Sequence, residues 1–258
     1  MTSYTTASVV GSPQEPEETG FAASPPDRLT DITGAGPIDI SSYPGRLICL
    51  EGTDGVGRST HTALLREWLE THGYGVVHSA IKTSALAGEG LARAQEGHTL
   101  GRRTMDLFYA TDFADRLERS ILPALKAGFV VLMDRYIYAM IARSIVRGSD
   151  PSWIEDVYRF APEPHAVFYL DVDVEHLTPR VVSSGGFDYW ESGMDFQEGE
   201  DVHASFVRYQ GRLLSAFGEL GERHGFTTID ARRPVEDVFA DIRTRVEAVV
   251  NEMEGARA

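Results

Sequence analysis

Eight residues, Gly52–Ser59, run G-x-x-x-x-G-R-S, a spacing that builds a cradle for phosphate. Glycines at 52, 55 and 57 let the backbone turn with positive φ and approach oxygen atoms closely. Successive amides then point inward, and the positive end of a following helix adds its attraction. Ser59 is placed to ligate Mg²⁺ through its hydroxyl, with Thr60 beside it. Arg58 is placed to reach the β- and γ-phosphates of a nucleoside triphosphate. The loop departs from the usual G-x-x-x-x-G-K-[ST] at this one position. Arginine keeps the charge but exchanges a compact ammonium for a broad planar fork. A second chemical pair, Asp134–Arg135, closes the apolar run VVLM.

These groups need elements to hold them. Short runs rich in Val, Ile, Leu and Phe predict strands at Leu47–Glu51, Gly75–Ser79, Phe129–Asp134, Ala166–Asp171 and Phe226–Asp230. Most lack period-two alternation, as strands of a parallel sheet covered on both faces do. Amphipathic stretches between them predict helices at Ser59–His72, Thr104–Lys126, Tyr136–Arg147, Trp153–Phe160, Val174–Ser183, Val202–His224 and Val235–Glu252. The alternation implies an α/β fold of the P-loop NTPase kind, a doubly wound five-stranded parallel sheet flanked by helices. Ligands in such folds bind at the carboxyl ends of strands, where Gly52–Ser59 and Asp134–Arg135 both fall. Residues 1–43, rich in Ser, Thr, Pro, Gly and Glu, bury too little apolar surface to offset their ordering entropy and are expected to be a disordered tail. The folded domain is expected over 44–252, with a short lid at 183–201 and a C-terminal tail at 253–258.

Composition excludes several classes. A net charge of −15 over 258 residues disfavours nonspecific nucleic-acid binding. The single cysteine, Cys49, has no partner for an internal disulfide and falls in the first apolar strand, where a core thiol is expected. No apolar run approaches the roughly 18 residues of a membrane span, and the N-terminus lacks the charged-then-apolar pattern of a secretory signal. The eight histidines show no ligand spacing. The expectation is a soluble, cytoplasmic protein.

Four segments together resemble the thymidylate kinase family. EGTDGVGRST resembles its phosphate loop, EGxDGxGK[ST]T. VVLMDRYIY, residues 130–138, resembles its strand-end D-R-[YFH]. LFYATDFADRLERSILPALKAGFVVL, residues 107–132, is similar to its helix ending in PALxxG. VFYLDVDVEHLTPR, residues 167–180, is similar to the strand and helix before its lid. The resemblance spans about Arg46 to Val249 with the motifs in order. It implies ATP- and Mg²⁺-dependent phosphoryl transfer to a nucleoside monophosphate, dTMP to dTDP, by a homodimer. By the same resemblance Asp54 contacts the acceptor sugar and serves catalysis with Arg58 and Arg135. Gly52, Gly55, Gly57, Arg58, Ser59 and Thr60 bind ATP, and Ser59 and Asp134 serve the metal.

The acceptor positions depart from the family pattern. Tyr109 takes the place of the aromatic that stacks on thymine, and Phe113 that of the arginine that reads the base. Arg116 lies about one turn further on the same face. Lys82, in Ile81-Lys82-Thr83, replaces the acceptor-phosphate R-E-P motif, and Arg143 and Ser144 fall at positions that face the base. The segment 183–201 holds no arginine, whereas the family draws a catalytic arginine from its phosphate loop or its lid. Two alternatives therefore stay open: a kinase of another nucleotide or phosphorylated metabolite, and a nucleotide-binding protein with little transfer.

Overall fold

The computed structural model describes residues 36–97, 99–196 and 201–255. Five strands, β1 (Arg46–Glu51), β2 (Val76–Ala80), β3 (Val130–Asp134), β4 (Ala166–Asp171) and β5 (Thr227–Asp230), form one sheet in the order β2-β3-β1-β4-β5. Every pairing is parallel. The helices are α1 (Arg58–Thr71), α2 (Gly88–Gly97), α3 (Arg102–Arg116), α4 (Leu122–Lys126), α5 (Ile137–Val146), α6 (Pro151–Val157), α7 (Val174–Ser183), α8 (Val202–His224) and α9 (Val235–Gly255).

Alternate residues of each central strand enter different cores. Leu47, Cys49, Val131, Met133, Val167 and Tyr169 face a layer that includes α5 and most of α8. Ile48, Leu50, Val130, Leu132, Phe168 and Leu170 face α1, α7 and α9. Both faces are covered, so both parities must be apolar, which is why these strands read as unbroken runs. On α9, Val238, Ile242, Val246 and Val250 recur at four-residue intervals and lie in that second core.

Four expectations need adjustment. The helix expected at Thr104–Lys126 begins at Arg102 and is interrupted by a π-helical turn, Leu117–Ile121, before α4. Pro123 has no N–H for the ladder and its ring crowds the preceding turn, so the helix widens there. Helix α2 was not expected; three glycines in GEGLARAQEG weaken its local signal. At the front of the domain, Ile38 and Ile40 are buried in the first core, and the Ile38 N–H donates to the Phe160 carbonyl at 3.1 Å. The folded part therefore includes residues expected in the tail, while the expectation of disorder for residues 1–35 lies outside the described residues. At the other end α9 runs to Gly255, with Met253 buried against the second core.

Candidate active site

The phosphate loop joins β1 to α1, and its glycines are required by space as well as by φ. A Cβ on Gly52 (φ 144°) would lie 2.9 Å from the Leu170 carbonyl oxygen, and one on Gly55 (φ 79°) would lie 2.7 Å from Val181 Cγ2. Gly57 (φ 105°) is the N-cap of α1, where no side chain caps the first amides. A cavity of about 330 Å³ opens beside it, lined by Gly55, Gly57, Ser59, Thr60, Arg180 and Ser184 together with Arg58.

Arg58 is largely withdrawn from that cavity. Only 6% exposed, it bends back beneath the loop. Its Nε donates to Asp134 Oδ1 at 3.0 Å, and its Nη1 donates to the carbonyl oxygens of Gly52, at 2.5 Å, and Thr53. Its Nη2 lies 3.6 Å from Asp54 Oδ1. The guanidinium thus fastens the two ends of the loop to the tip of β3. Ser59 Oγ donates to Asp134 Oδ2 at 2.6 Å, so the two expected metal ligands share one point at the loop's rim. Burial works against the Asp134 charge, but Arg58 and the Ser59 hydroxyl hold its carboxyl below the ordinary range.

The second strand end brings the other charges in. Arg135 is a non-glycine residue at φ 71°, a backbone state that few side chains adopt. Its N–H donates to the Leu50 carbonyl at 3.1 Å, which ties the corner to β1. Glu51 completes the tie: its Oε1 accepts from the N–H groups of Tyr136 at 2.9 Å and Ala139 at 3.2 Å. Those amides open α5, whose own N-cap residue supplies no side-chain bond. Glu51 therefore caps α5 from across the sheet. It is fully buried, and burial pushes its carboxyl up to about 7.

Asp54 stands between two arginines, accepting from Nη2 of Arg135 at Oδ1 and from Nη2 of Arg143 at Oδ2. Burial alone would raise its pKa, yet Arg135, Arg143 and Arg58 hold it far below the usual carboxylate range. Burial, with Arg58 next to it, lowers Arg135 to about 10. Burial works against the Arg143 charge, but Asp54, Tyr209 and Tyr109 together raise its pKa instead. Lys82, with φ 63°, joins the same field: burial and the charges of Arg135 and Arg143 lower its pKa. Its Nζ donates to Gln95 Oε1 at 2.6 Å, and its N–H donates to Asp112 Oδ2 at 3.1 Å.

Beyond Arg143 lies a second cavity, of about 310 Å³, whose walls include Met105, Asp106, Tyr109, Arg143, Ser144 and Trp190. The Tyr109 hydroxyl accepts from Gln95 Nε2 at 2.9 Å. Asp54 and its arginines thus lie between a cavity at the phosphate loop and a cavity between α3 and α5.

A family model described as thymidylate kinase matches residues 50–242. The chain belongs to the thymidylate kinase family, and with it to the nucleoside monophosphate kinases. It is 37% identical over 201 residues to a protein of Saccharolobus solfataricus named probable thymidylate kinase 2, covering 77% of this chain and 94% of that one. It is 37% identical over 214 residues to a probable thymidylate kinase of Thermococcus kodakarensis, covering 80% and 98%. It is 35% identical over 214 residues to a thymidylate kinase of Clavibacter michiganensis, covering 80% and 96%.

Set against the thymidylate kinase pattern, the expected site residues divide. Asp54, Arg58, Ser59, Asp134, Arg135, Lys82 and Arg143 share one charged cluster, and Tyr109 lines the adjoining cavity. Phe113 sits elsewhere. It is 2% exposed and packs edge-on to Tyr136 with ring centroids 5.3 Å apart, beside Tyr158 and Phe160. Arg116 is also buried, donating to Asp112 Oδ2 at 2.9 Å and Ser79 Oγ at 2.8 Å. Those two side chains form the packing layer under the cavity rather than its wall, because their helix turns them toward the sheet.

Sequence reasoning missed Glu51, Asp106 and Arg147. Asp106 shares a helix face with Tyr109, and Arg147 with Arg143, a spacing of three and four that was available as a signal. Arg147 anchors the segment expected to be the lid of this thymidylate kinase homologue. It donates to both Asp195 oxygens, at 2.9 and 3.2 Å, to the Trp190 carbonyl at 2.9 Å and to the Tyr209 hydroxyl at 2.5 Å. Gln210 Nε2 and Ser205 Oγ on α8 hold the Glu191 and Ser192 carbonyls, each at 2.7 Å. Within the expected lid, residues 197–200 lie outside the described residues.

Proposed function

We propose that this protein transfers the γ-phosphoryl group of ATP to dTMP, giving dTDP and ADP, with Mg²⁺. The observation that carries the reading is the Asp54 carboxylate bridging Arg135 and Arg143 between the two cavities. In this reading the phosphate-loop cavity takes the triphosphate, and the cavity between α3 and α5 takes the nucleoside monophosphate. Asp54 fixes where the two cations stand, and it contacts the acceptor sugar. Arg135 and Arg143 then neutralise phosphate oxygens on both sides of the transferring group, and Lys82 approaches the acceptor phosphate from the end of β2. Phosphoryl transfer depends chiefly on such positioning and charge neutralisation.

Arg58 holds the loop in shape and keeps Asp134 ionised. Ser59 and Asp134 offer a hydroxyl and a carboxylate oxygen side by side, a hard donor pair that fits Mg²⁺ sharing its remaining positions with phosphate and water. When bound, that ion neutralises charge on the β- and γ-phosphate oxygens. Among the described residues no three His, Cys, Asp or Glu side chains form a metal cage, which suits an ion carried largely by its nucleotide.

Release of ADP, measured with dTMP, dUMP, dCMP and dGMP as acceptors, tests the proposal. Turnover is expected with dTMP above the others and only with Mg²⁺. ATP binding without acceptor-dependent turnover would refute it. Among the described residues no helix is long and apolar enough to cross a membrane, and a cytoplasmic location belongs to the same reading. So does a homodimer through α3. Leu107 is 45% exposed there, and Leu86 is held beside the helix by its N–H on Asp115 Oδ2 at 3.3 Å. Sedimentation equilibrium at micromolar protein distinguishes dimer from monomer.

A further inference from the structure

Asp106 differs from the neighbouring acids in having no cationic partner among the described residues. Asp112 is paired with Arg116, Asp115 with Arg119, Asp195 with Arg147, and Asp54 with Arg135 and Arg143. Asp106, 7% exposed, forms no salt bridge among the described residues. Its partners are two neutral hydroxyls: Ser144 Oγ donates to Oδ1 at 2.6 Å and Ser149 Oγ donates to Oδ2 at 2.9 Å. An ionised carboxylate accepts about four hydrogen bonds, so two of its acceptor sites are open. A buried carboxylate with open acceptor sites is costly unless a donor meets it. The space it faces is the 310 Å³ cavity beside Tyr109 and Arg143.

We infer that Asp106 is the base-reading residue of the acceptor cavity, accepting a hydrogen bond from the imide N3–H of a pyrimidine. The inference rests on the acceptor assignment above and deepens it. Phe113 and Ser144, at the two positions where the family pattern reads the base, cannot provide the usual long polar side chains; Phe113 is in the core, and Ser144 spends its proton on Asp106. Arg102, one turn before Asp106 on α3, lines the same cavity from its exposed side and supplies a donor for a ring carbonyl. A thymine or uracil edge presents a donor flanked by carbonyls, which matches this carboxylate and guanidinium. Cytosine presents a lone pair at N3, which the carboxylate repels.

The test compares dTMP with N3-methyl-dTMP, which lacks the donor, in wild type, Asp106→Asn and Asp106→Ala. Wild type is expected to bind dTMP roughly ten- to a hundredfold more tightly than the methylated analogue, the range for a hydrogen bond to a charged group. In Asp106→Ala that ratio should fall to within about threefold, since the methyl group meets neither carboxylate nor clash. Asp106→Asn keeps the size of the side chain and its serine partners, and it should raise turnover of dCMP relative to dTMP about tenfold, because its amide N–H suits the cytosine N3 lone pair. A ratio unchanged in both variants overturns the assignment, as does a wild type that binds the two ligands equally. A purely structural Asp106 would lower the unfolding temperature of the variants and leave both ratios where they were. If wild type fails to turn over dTMP at all, the acceptor assignment itself falls, and that control is read before any variant is made.

Discussion

Glu51 makes the stability of this protein depend on pH between about 4.5 and 7. Its carboxyl is buried and raised from 4.5 to about 7. Because the folded-state value lies above the unfolded one, the stabilisation is complete below about pH 4.5 and is lost as the pH rises to about 7. In that interval the unfolded chain has released a proton that the fold retains, so stability falls by about 1.4 kcal/mol per pH unit. Across the interval from 4.5 to 7 the loss totals about 3 kcal/mol, a sizeable part of a typical domain's stability. Glu51→Gln cannot ionise. Its carbonyl oxygen still accepts from Tyr136 and Ala139, while its amide replaces Oε2, which has no partner among the described residues. The assay is urea unfolding of both proteins from pH 4.5 to pH 8. Lowered histidines (His61, His165 and His224) and the raised Glu191 also shape the raw curves, so the quantity to read is the difference between variant and wild type. That difference should tilt in favour of the variant by about 3 kcal/mol as the pH rises. A difference that is flat with pH would mean that Glu51 stays ionised in the fold, and the argument from burial would be wrong.

Asp54→Asn leaves Arg135 and Arg143 buried without their shared anion and should cost about 3–5 kcal/mol of stability, with a loss of turnover that added phosphate does not restore; urea unfolding and the ADP-release assay read the two effects. Arg58→Lys keeps one positive charge but cannot bond Asp134 and both loop carbonyls together, so turnover should fall about tenfold or more while the affinity for ATP changes less; steady-state kinetics separate the two, and an unchanged rate would deny Arg58 any specialised part. Arg147→Ala frees Asp195 and the Trp190 carbonyl and should raise KM for the acceptor about tenfold with KM for ATP unchanged; a rise in both would place the lid over the whole site rather than over the acceptor.

What the sequence disclosed follows from the range of the interactions. The phosphate loop and the Asp134–Arg135 corner are local: a few consecutive residues carry the glycines, the charges and the strand end together. The strands were legible because burial on both faces makes them continuous apolar runs, and Cys49 lies in one of them. The π-helical turn was hidden because apolar residues continue through Leu117–Leu125 whatever the backbone does. Phe113 was placed on the substrate by the family resemblance, and Arg116 because it lies about one turn further on the same helix face. Which side of α3 meets the sheet, and that Ser79 would bind the Arg116 guanidinium, depends on β2, 37 residues away in the chain. Glu51 stood in plain sight within EGTDG, yet its work on Tyr136 and Ala139 spans 85 and 88 residues, and no local pattern announces it.

Like charges crowd in the cluster. Arg58, Arg135, Arg143 and Lys82 supply four cations, answered by the carboxylates of Asp54 and Asp134, by Asp188 acting on Lys82, and by Glu51 and Glu191, each raised to about 7. Burying like charges together is costly, and the lowered values of Arg135 and Lys82 are the mark of it. That cost is relieved when anionic phosphates enter, so the cluster is complementary to the ligand-bound state rather than to the empty one. Charge neutralisation is also what an absent lid arginine would have supplied. In the proposed mechanism Arg143, on α5 and held by Asp54, supplies it instead. In the same proposal the segment that carries Trp190 and Asp195, held by Arg147, closes the acceptor cavity.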